Sequence, residues 1–406
     1  MRTRSAISLM LIGLLLIPLT GCWNSRELRD LSIIGAIGID KLPDKPGYKV
    51  SFQIINPSAV TTTGTGGGGG QSGIPVTVYT GNGRSIFEVI RKTSGLSPRQ
   101  LFFSHIRLIV IGETLAREDL SNLFDFFERS HEIRLTTKLV VSRGSSAEQL
   151  LQVLTPLERI PSDAIYGKLE STKSIWSESM ITGVDDVINR LIGPGKQLLI
   201  SGVRILGDQD KGGEKANLDK TKLPAEIEIK GIALFKNGRL ETWLDGGKAR
   251  GALRIQDKMN SSVVTVPCKD RDDPAAIAAI EITRSRTKVK ATVVDGEPAF
   301  RVYVREEGNV GEVSCAVDLS KKEAIEELEQ RWRSKTKQEI REAIEAAQSR
   351  SSDVYGFGEV LNRSYPRTWK KLEDRWSEVF ADCEIEVQVE SFIRRSGMRT
   401  KPYIKE

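Results

Sequence analysis

Residues 1–22 constrain this chain more than any other stretch, because they decide in which solvent the rest must fold. Arg2 and Arg4 form a charged head, and Ile7 to Ile17 form an apolar run. Such a run is too short to span a bilayer comfortably, where about 20 apolar residues are needed. Small residues then lead to Cys22 and to the polar Trp23-Asn24-Ser25-Arg26. This order of charge, short apolar run and small residues is that of an export signal. No second long apolar stretch follows, so everything after Cys22 is expected to fold in water on the far side of the membrane.

Leu19-Thr20-Gly21-Cys22 resembles the lipobox of bacterial lipoproteins. The resemblance implies that residues 1–21 are a signal peptide, and that Cys22 becomes the first mature residue and carries a thioether-linked diacylglyceryl group. The chemistry suits the task, since each buried acyl CH₂ contributes about 0.8 kcal/mol and two chains hold a water-soluble domain where one is marginal. The chain is then anchored to the outer face of the cytoplasmic membrane, not spanning it.

The 406 residues exceed what one hydrophobic core usually serves, and 39% hydrophobic with 28% charged residues describes an ordinary folded protein of two or three domains. Sixty basic residues against 54 acidic ones give a net +6, and Arg2 and Arg4 leave with the leader. That excess is too weak to argue for nucleic acid, though it suits an anionic lipid surface. Once Cys22 is lipidated, Cys268, Cys315 and Cys383 remain, so at most one internal disulfide can form. Cys268 and Cys315 sit at strand-like edges and could meet in a bridge or stay as buried thiols; Cys383 is expected to pack.

Along the chain, residues 33–40, 48–56, 74–80, 101–111 and 135–142 read as strands, with helices opening at Ser85 and covering Leu115 to Ser130. The second helix carries Leu120, Leu123, Phe124 and Phe127 on one face. A tract at 58–73 with five consecutive glycines, Gly66 to Gly70, is expected to be a loop. Gly81-Asn82-Gly83 before a helix is a weak anion-site signal, lacking a third glycine. Residues 162–192 are expected to be helical, 198–206 a strand, and the polar stretch 207–222 an exposed linker. Asn237-Gly238 and Asp295-Gly296 are hairpin turns, since both residues of each pair tolerate positive φ. Ser320 and Glu323 read as a capping box opening a long helix with Ile325, Leu328, Trp332, Ile340, Ile344 and Ala347 inward and a charged face outward. A second helix follows Pro366, with Trp369, Leu372, Trp376, Val379 and Phe380, and residues 385–389 alternate as a strand. The expectation is an α+β, multidomain mixed α/β protein. Its parts are the signal peptide 1–21, an N-terminal α/β domain 22–206, a small β-rich middle domain 223–268, and a C-terminal domain 269–396 in which an antiparallel β-meander packs with the long helix.

Catalytic chemistry has little support. Only two histidines exist, His105 on an apolar strand and His131 after a helix, and no Cys-x-x-Cys or His-x-x-x-His spacing suggests zinc. No Gly-x-Ser-x-Gly elbow is present. His105 is expected to be a structural histidine, and no cofactor, metal or catalytic residue is assigned.

Several runs match something specific: Cys22-Trp23-Asn24-Ser25-Arg26-Glu27-Leu28 with Ile37-Gly38-Ile39-Asp40; His105 to Glu113; and Phe126-Phe127-Glu128-Arg129-Ser130-His131-Glu132-Ile133-Arg134. Asp353-Val354-Tyr355-Gly356-Phe357-Gly358-Glu359, Tyr365-Pro366, Trp369-Lys370, Trp376 and Arg394-Arg395-Ser396-Gly397 continue the order. Over the whole mature chain this resembles the Ger(x)C family, the GerAC-like lipoprotein C subunits of spore nutrient germinant receptors. The resemblance implies three mixed α/β domains and a non-enzymatic subunit at the spore's inner membrane. Its implied partners are a polytopic A subunit and a transporter-like B subunit, which together sense amino acids, sugars or nucleosides. Whether the chain touches the nutrient stays open, and partner contact is expected on the outward face of the 320–348 helix or the glycine-rich loop. The competing readings are a solute-binding lipoprotein, which needs two similar lobes around a cleft, and a wall-modifying lipoprotein, which needs a carboxylate or histidine constellation.

Overall fold

A computed structural model describes residues 27–60, 73–130, 132–193, 195–268, 275–397 and 399–401. Cys22, the Gly66–Gly70 tract and His131 lie outside the described residues.

Two sheets organise the chain. The first runs through β1 (Leu31–Lys41), β2 (Tyr48–Ile55), β3 (Val76–Gly83), β5 (Leu108–Gly112), β6 (Lys138–Ser142), β8 (Leu199–Gly207), β9 (Ala225–Lys236) and β10 (Arg239–Leu244), in the spatial order β10-β9-β8-β6-β5-β1-β2-β3. Short β4 (Gln100–Phe102) joins β1, and β7 (Thr182–Gly183) joins β6. Its centre, β1, β5, β6 and β8, is parallel. Parallel strands need cover on both faces, and all five residues of β5 are buried. The helices supply that cover. On one face, α1 (Ile86–Thr93), α2 (Ser121–Arg129) and α5 (Val184–Ile192) insert Val89, Phe124, Phe127 and Val187. On the other, α3 (Ala147–Gln152) and α4 (Pro161–Ile175) insert Leu150, Leu151, Ile165 and Leu169.

β9 and β10, expected in a separate middle unit, extend this first sheet instead: β9 pairs antiparallel with β8 from Leu199↔Leu234 to Gly207↔Ala225. The polar stretch between them therefore closes a hairpin and does not separate domains. It is pinned at Asn217, which is 1% exposed. Its amide donates to the carbonyls of Leu154 and Ala225, both at 3.0 Å, and its Oδ1 accepts from Ala225 N at 2.9 Å.

The second sheet has the order β11 (Ser262–Pro267), β12 (Ile277–Val294), β13 (Glu297–Val313), β14 (Glu384–Arg395). The first three form the expected antiparallel meander, while β14 lies parallel to β13 after a helical crossover. Both hairpin turns have the positive φ they require, 48° and 75° at Asn237 and Gly238, 50° and 87° at Asp295 and Gly296. Helix α6 (Gly247–Ile255) connects the two sheets, and α7 (Lys322–Gln348) lies along the second. At 1.5 Å per residue α7 is about 40 Å long. It buries Leu328, Trp332, Ile340, Ala343, Ile344 and Ala347. The Ser320–Glu323 capping box does not form: the helix is preceded by Lys321 with no side-chain cap, and Ser320 Oγ donates to Asp318 at 2.6 Å. α8 (Phe357–Ser364), α9 (Pro366–Leu372) and α10 (Trp376–Asp382) complete the crossover.

Candidate functional site

A concave apolar surface lies over the first sheet, between α1 and α2. Ser85 caps α1, its hydroxyl accepting from Glu88 N at 3.2 Å. Ile86, Val89 and Thr93 face the sheet, and Phe87, Ile90, Arg91 and Ser94, at three- and four-residue steps, face the groove. The Gly81-Asn82-Gly83 run allows this close seat. A Cβ at Gly81 would stand 2.8 Å from Val89 Cγ1, and one at Gly83 2.9 Å from Val89 Cγ2. These glycines serve helix packing, which replaces the anion-site reading.

From the other side α2 presents Asn122, Asp125, Phe126 and Arg129, with Tyr48, Leu101, Phe103, Leu123 and Ile133 as floor. The cavity is about 550 Å³, within the usual range for binding sites. Arg91 sits 4.9 Å from the centre of the Phe87 ring, and Phe87 is 55% exposed. Arg129 Nε donates to both Asp125 oxygens, at 2.9 and 3.0 Å. Burial, then the neighbouring Glu118, pushes the Tyr48 hydroxyl upward. The arrangement offers apolar contact and fixed charges, and its described residues bring together no nucleophile–base pair. One wall comes from the Phe126–Arg134 motif; the sequence shows each helix as amphipathic but not that both lie on one sheet face.

Two other motifs are structural. In Asp353-Val354-Tyr355-Gly356-Phe357-Gly358 the buried Asp353 accepts from Tyr355 N at 3.2 Å, Gly356 N and Gly358 N at 2.8 Å, and Trp376 Nε1 at 3.0 Å. Burial still raises its carboxyl above the ordinary range, against those hydrogen bonds. Its carbonyl accepts from Gln197 N at 2.7 Å, joining the second unit to the loop after α5. Beside it burial, then Arg190, pushes Lys196 down to about 8. Asp40 of the Gly38-Ile39-Asp40 run accepts from Ala147 N at 2.8 Å and Glu148 N at 3.2 Å, capping α3.

A buried ion network ties α6 to the second sheet and α7. Arg254, 0% exposed, donates through Nε to Glu306 Oε1 at 2.8 Å and through Nη1 to Glu339 Oε2 at 2.6 Å. Glu306 also accepts from Trp332 Nε1 at 3.0 Å and Thr336 Oγ1 at 2.9 Å, while Arg250 bridges Glu339 to Glu178. The sequence pattern puts the charges of α7 outward, yet Thr336 and Glu339 fall four and seven residues after Trp332 and so share its apolar stripe. That spacing was the available signal.

Cys268 and Cys315 are joined in a disulfide, and Cys383 is a buried thiol that burial pushes up to about 12. His105 does not lie on a strand, as the apolar run suggested. It is exposed, in a turn between β4 and β5, with its ring 5.5 Å from Phe102. Phe103 and Ile106 take the buried positions there, Ile106 N bonding Phe103 O at 3.1 Å, so the apolar run bends instead of continuing as one strand. Among the described residues no group of three His, Cys, Asp or Glu could hold a metal ion, and no helix is long and apolar enough to cross a membrane.

Two family models match: the spore germination protein N-terminal domain over residues 24–205, and the C-terminal domain of the spore germination B3/GerAC-like family over residues 230–397. Spore germination protein KC of Bacillus subtilis (strain 168) is 33% identical over 397 residues, 97% of this chain and 96% of that protein. Spore germination protein B3 of the same organism is 22% identical over 396 residues, covering 96% and 97%. The crystal structure of the GerBC protein superposes with a TM-score of 0.55 at 18% identity, covering 88% of this chain and 96% of that one.

Proposed function

This chain belongs to the GerAC-like family of spore germination proteins, and from that premise we propose that it is the lipid-anchored subunit of a nutrient germinant receptor. In this reading Cys22 carries a diacylglyceryl anchor at the inner membrane of the spore. The chain assembles with the A and B membrane subunits and stabilises or transmits a receptor state without turning over a substrate. The observation that carries the reading is the match to a spore germination protein along nearly the whole chain, both halves included.

The groove between α1 and α2 is the partner site in this proposal. Two facing helix stripes over an apolar floor suit a partner's apolar helix laid along them. Deleting the gene leaves sporulation intact and removes the response to one class of nutrient. Complementation with Phe87→Asp or Phe126→Asp fails to restore the response, although each purified variant melts with the parent. A normal response from both variants refutes the groove. Radiolabelled fatty acid is incorporated into the parent and not into a Cys22→Ala chain; a parent that takes up no label refutes the anchor.

A further inference from the structure

The starts of β1, β3, β5 and β6 and the end of β2 lie at one end of the first sheet, as the pairs Ile34↔Ile54, Ile55↔Val76, Ala36↔Leu108 and Leu108↔Lys138 require. Four of the eleven large apolar side chains exposed among the described residues belong to this end: Ile74 at 46%, Leu96 at 56%, Leu135 at 42% and Leu157 at 96%. Each is held there by a contact. Pro75, beside Ile74, accepts from Asn56 N at 2.8 Å, and Ser97, beside Leu96, bonds Ser32 of β1 at 3.1 Å. Leu135 O accepts from Asp185 N at 3.0 Å at the entry to β6, and Arg159, two residues past Leu157, donates to Ala59 O at 2.7 Å.

The chain also enters at this end, Leu31 pairing with Gln100. Cys22 precedes the first described residue, Glu27, by five positions, a reach of at most about 18 Å. The opposite end of β1 lies about 33 Å further away. We infer that this end of the sheet rests on the bilayer, with Ile74, Leu96, Leu135 and Leu157 entering the boundary between headgroups and acyl chains. The inference rests on the anchor reading for its geometry. Charges of both signs are interspersed here, among them Arg99, Arg107, Arg134 and Arg159 beside Glu132, Glu158, Asp163 and Asp185, so the contact is apolar in origin and insensitive to salt.

The test uses the mature chain made without acylation, as Cys22→Ala, floated with vesicles of phosphatidylglycerol and phosphatidylcholine at low and high salt. The parent floats equally at both. The variant Ile74→Ser/Leu96→Ser/Leu135→Ser/Leu157→Ser floats at least tenfold less and melts at the parent temperature. A control carrying Ile175→Ser/Val294→Ser, exposed at 65% and 62%, floats like the parent. Equal flotation of the four-site variant, equal loss in the control, loss at high salt, or no flotation of the parent overturns the inference. Because acylation is absent throughout, none of these results depends on the anchor, which fatty-acid labelling at Cys22 tests alone.

Discussion

Replacing Arg254 with methionine removes a cation from a site where water cannot replace it. In the parent Arg254 is 0% exposed and serves two carboxylates, Glu306 and Glu339, that are 0% and 1% exposed. Burial alone would lower its pKa, but the attraction of those carboxylates outweighs burial and holds it above the ordinary value. Removing one partner of a buried pair costs about 3–5 kcal/mol. Here the lower figure applies, because Glu306 keeps the donors of Trp332 and Thr336 and Glu339 keeps Arg250. The expected loss is therefore about 3 kcal/mol in urea unfolding, and Arg254→Met/Glu339→Gln recovers about half of it by removing one uncompensated charge. The pH dependence follows. In the parent burial would raise the Glu339 carboxyl, but Arg250 and Arg254 outweigh it and hold the group below its ordinary range. That contribution is present above the unfolded pKa and fades as the pH falls through the folded one. Without Arg254 that downward pull weakens and the Glu339 pKa moves up from the parent's, so on acidification the variant's carboxyl protonates first and the gap to the parent narrows as the pH falls. A loss under about 1 kcal/mol, or an identical loss in the double variant, would refute a dry, charge-coupled network.

Asp353→Ala strips the acceptor from three backbone N–H groups and from Trp376, and should cost about 2–4 kcal/mol with a changed near-ultraviolet tryptophan signal. Cys268→Ser/Cys315→Ser opens a loop with a sequence separation of 47 and should lower stability by about 4 kcal/mol on the loop-entropy model, read by urea unfolding under non-reducing conditions. Lys196→Met should stabilise the chain at pH 7, where the parent keeps an ammonium in a site that lowers its pKa to about 8. That advantage shrinks as pH rises from 8 toward 10.5, because the unfolded lysine stays protonated while the folded one does not.

Local pattern carried the elements, and only three-dimensional contact carried their assembly. The Asn237-Gly238 and Asp295-Gly296 turns were legible because positive φ leaves a residue signature. The long helix was legible because its buried positions recur at three and four residues. The pairing of β8 with β9 was not, since a polar stretch looks alike whether it separates domains or closes a hairpin; what distinguishes the cases is one buried side chain, Asn217. The groove was hidden for a related reason. Phe87 and Phe126 are unremarkable on separate helices, and become a site only when α1 and α2 land on one face of one sheet. His105 sat in an apolar run, yet hydropathy does not say where a run bends.

The seam between the two family segments has a mechanical consequence. The C-terminal match begins at residue 230, inside β9, while the N-terminal match ends at residue 205, inside β8. Those strands are neighbours in one hydrogen-bonded ladder, so the halves meet edge to edge and share no slack tether. A chimera that swaps halves between two members of the family must rebuild this ladder from strands that never paired before. Load works the same way: a pull applied at β1 crosses β5, β6 and β8 to reach β9, and must shear rows of hydrogen bonds before it can separate the two halves.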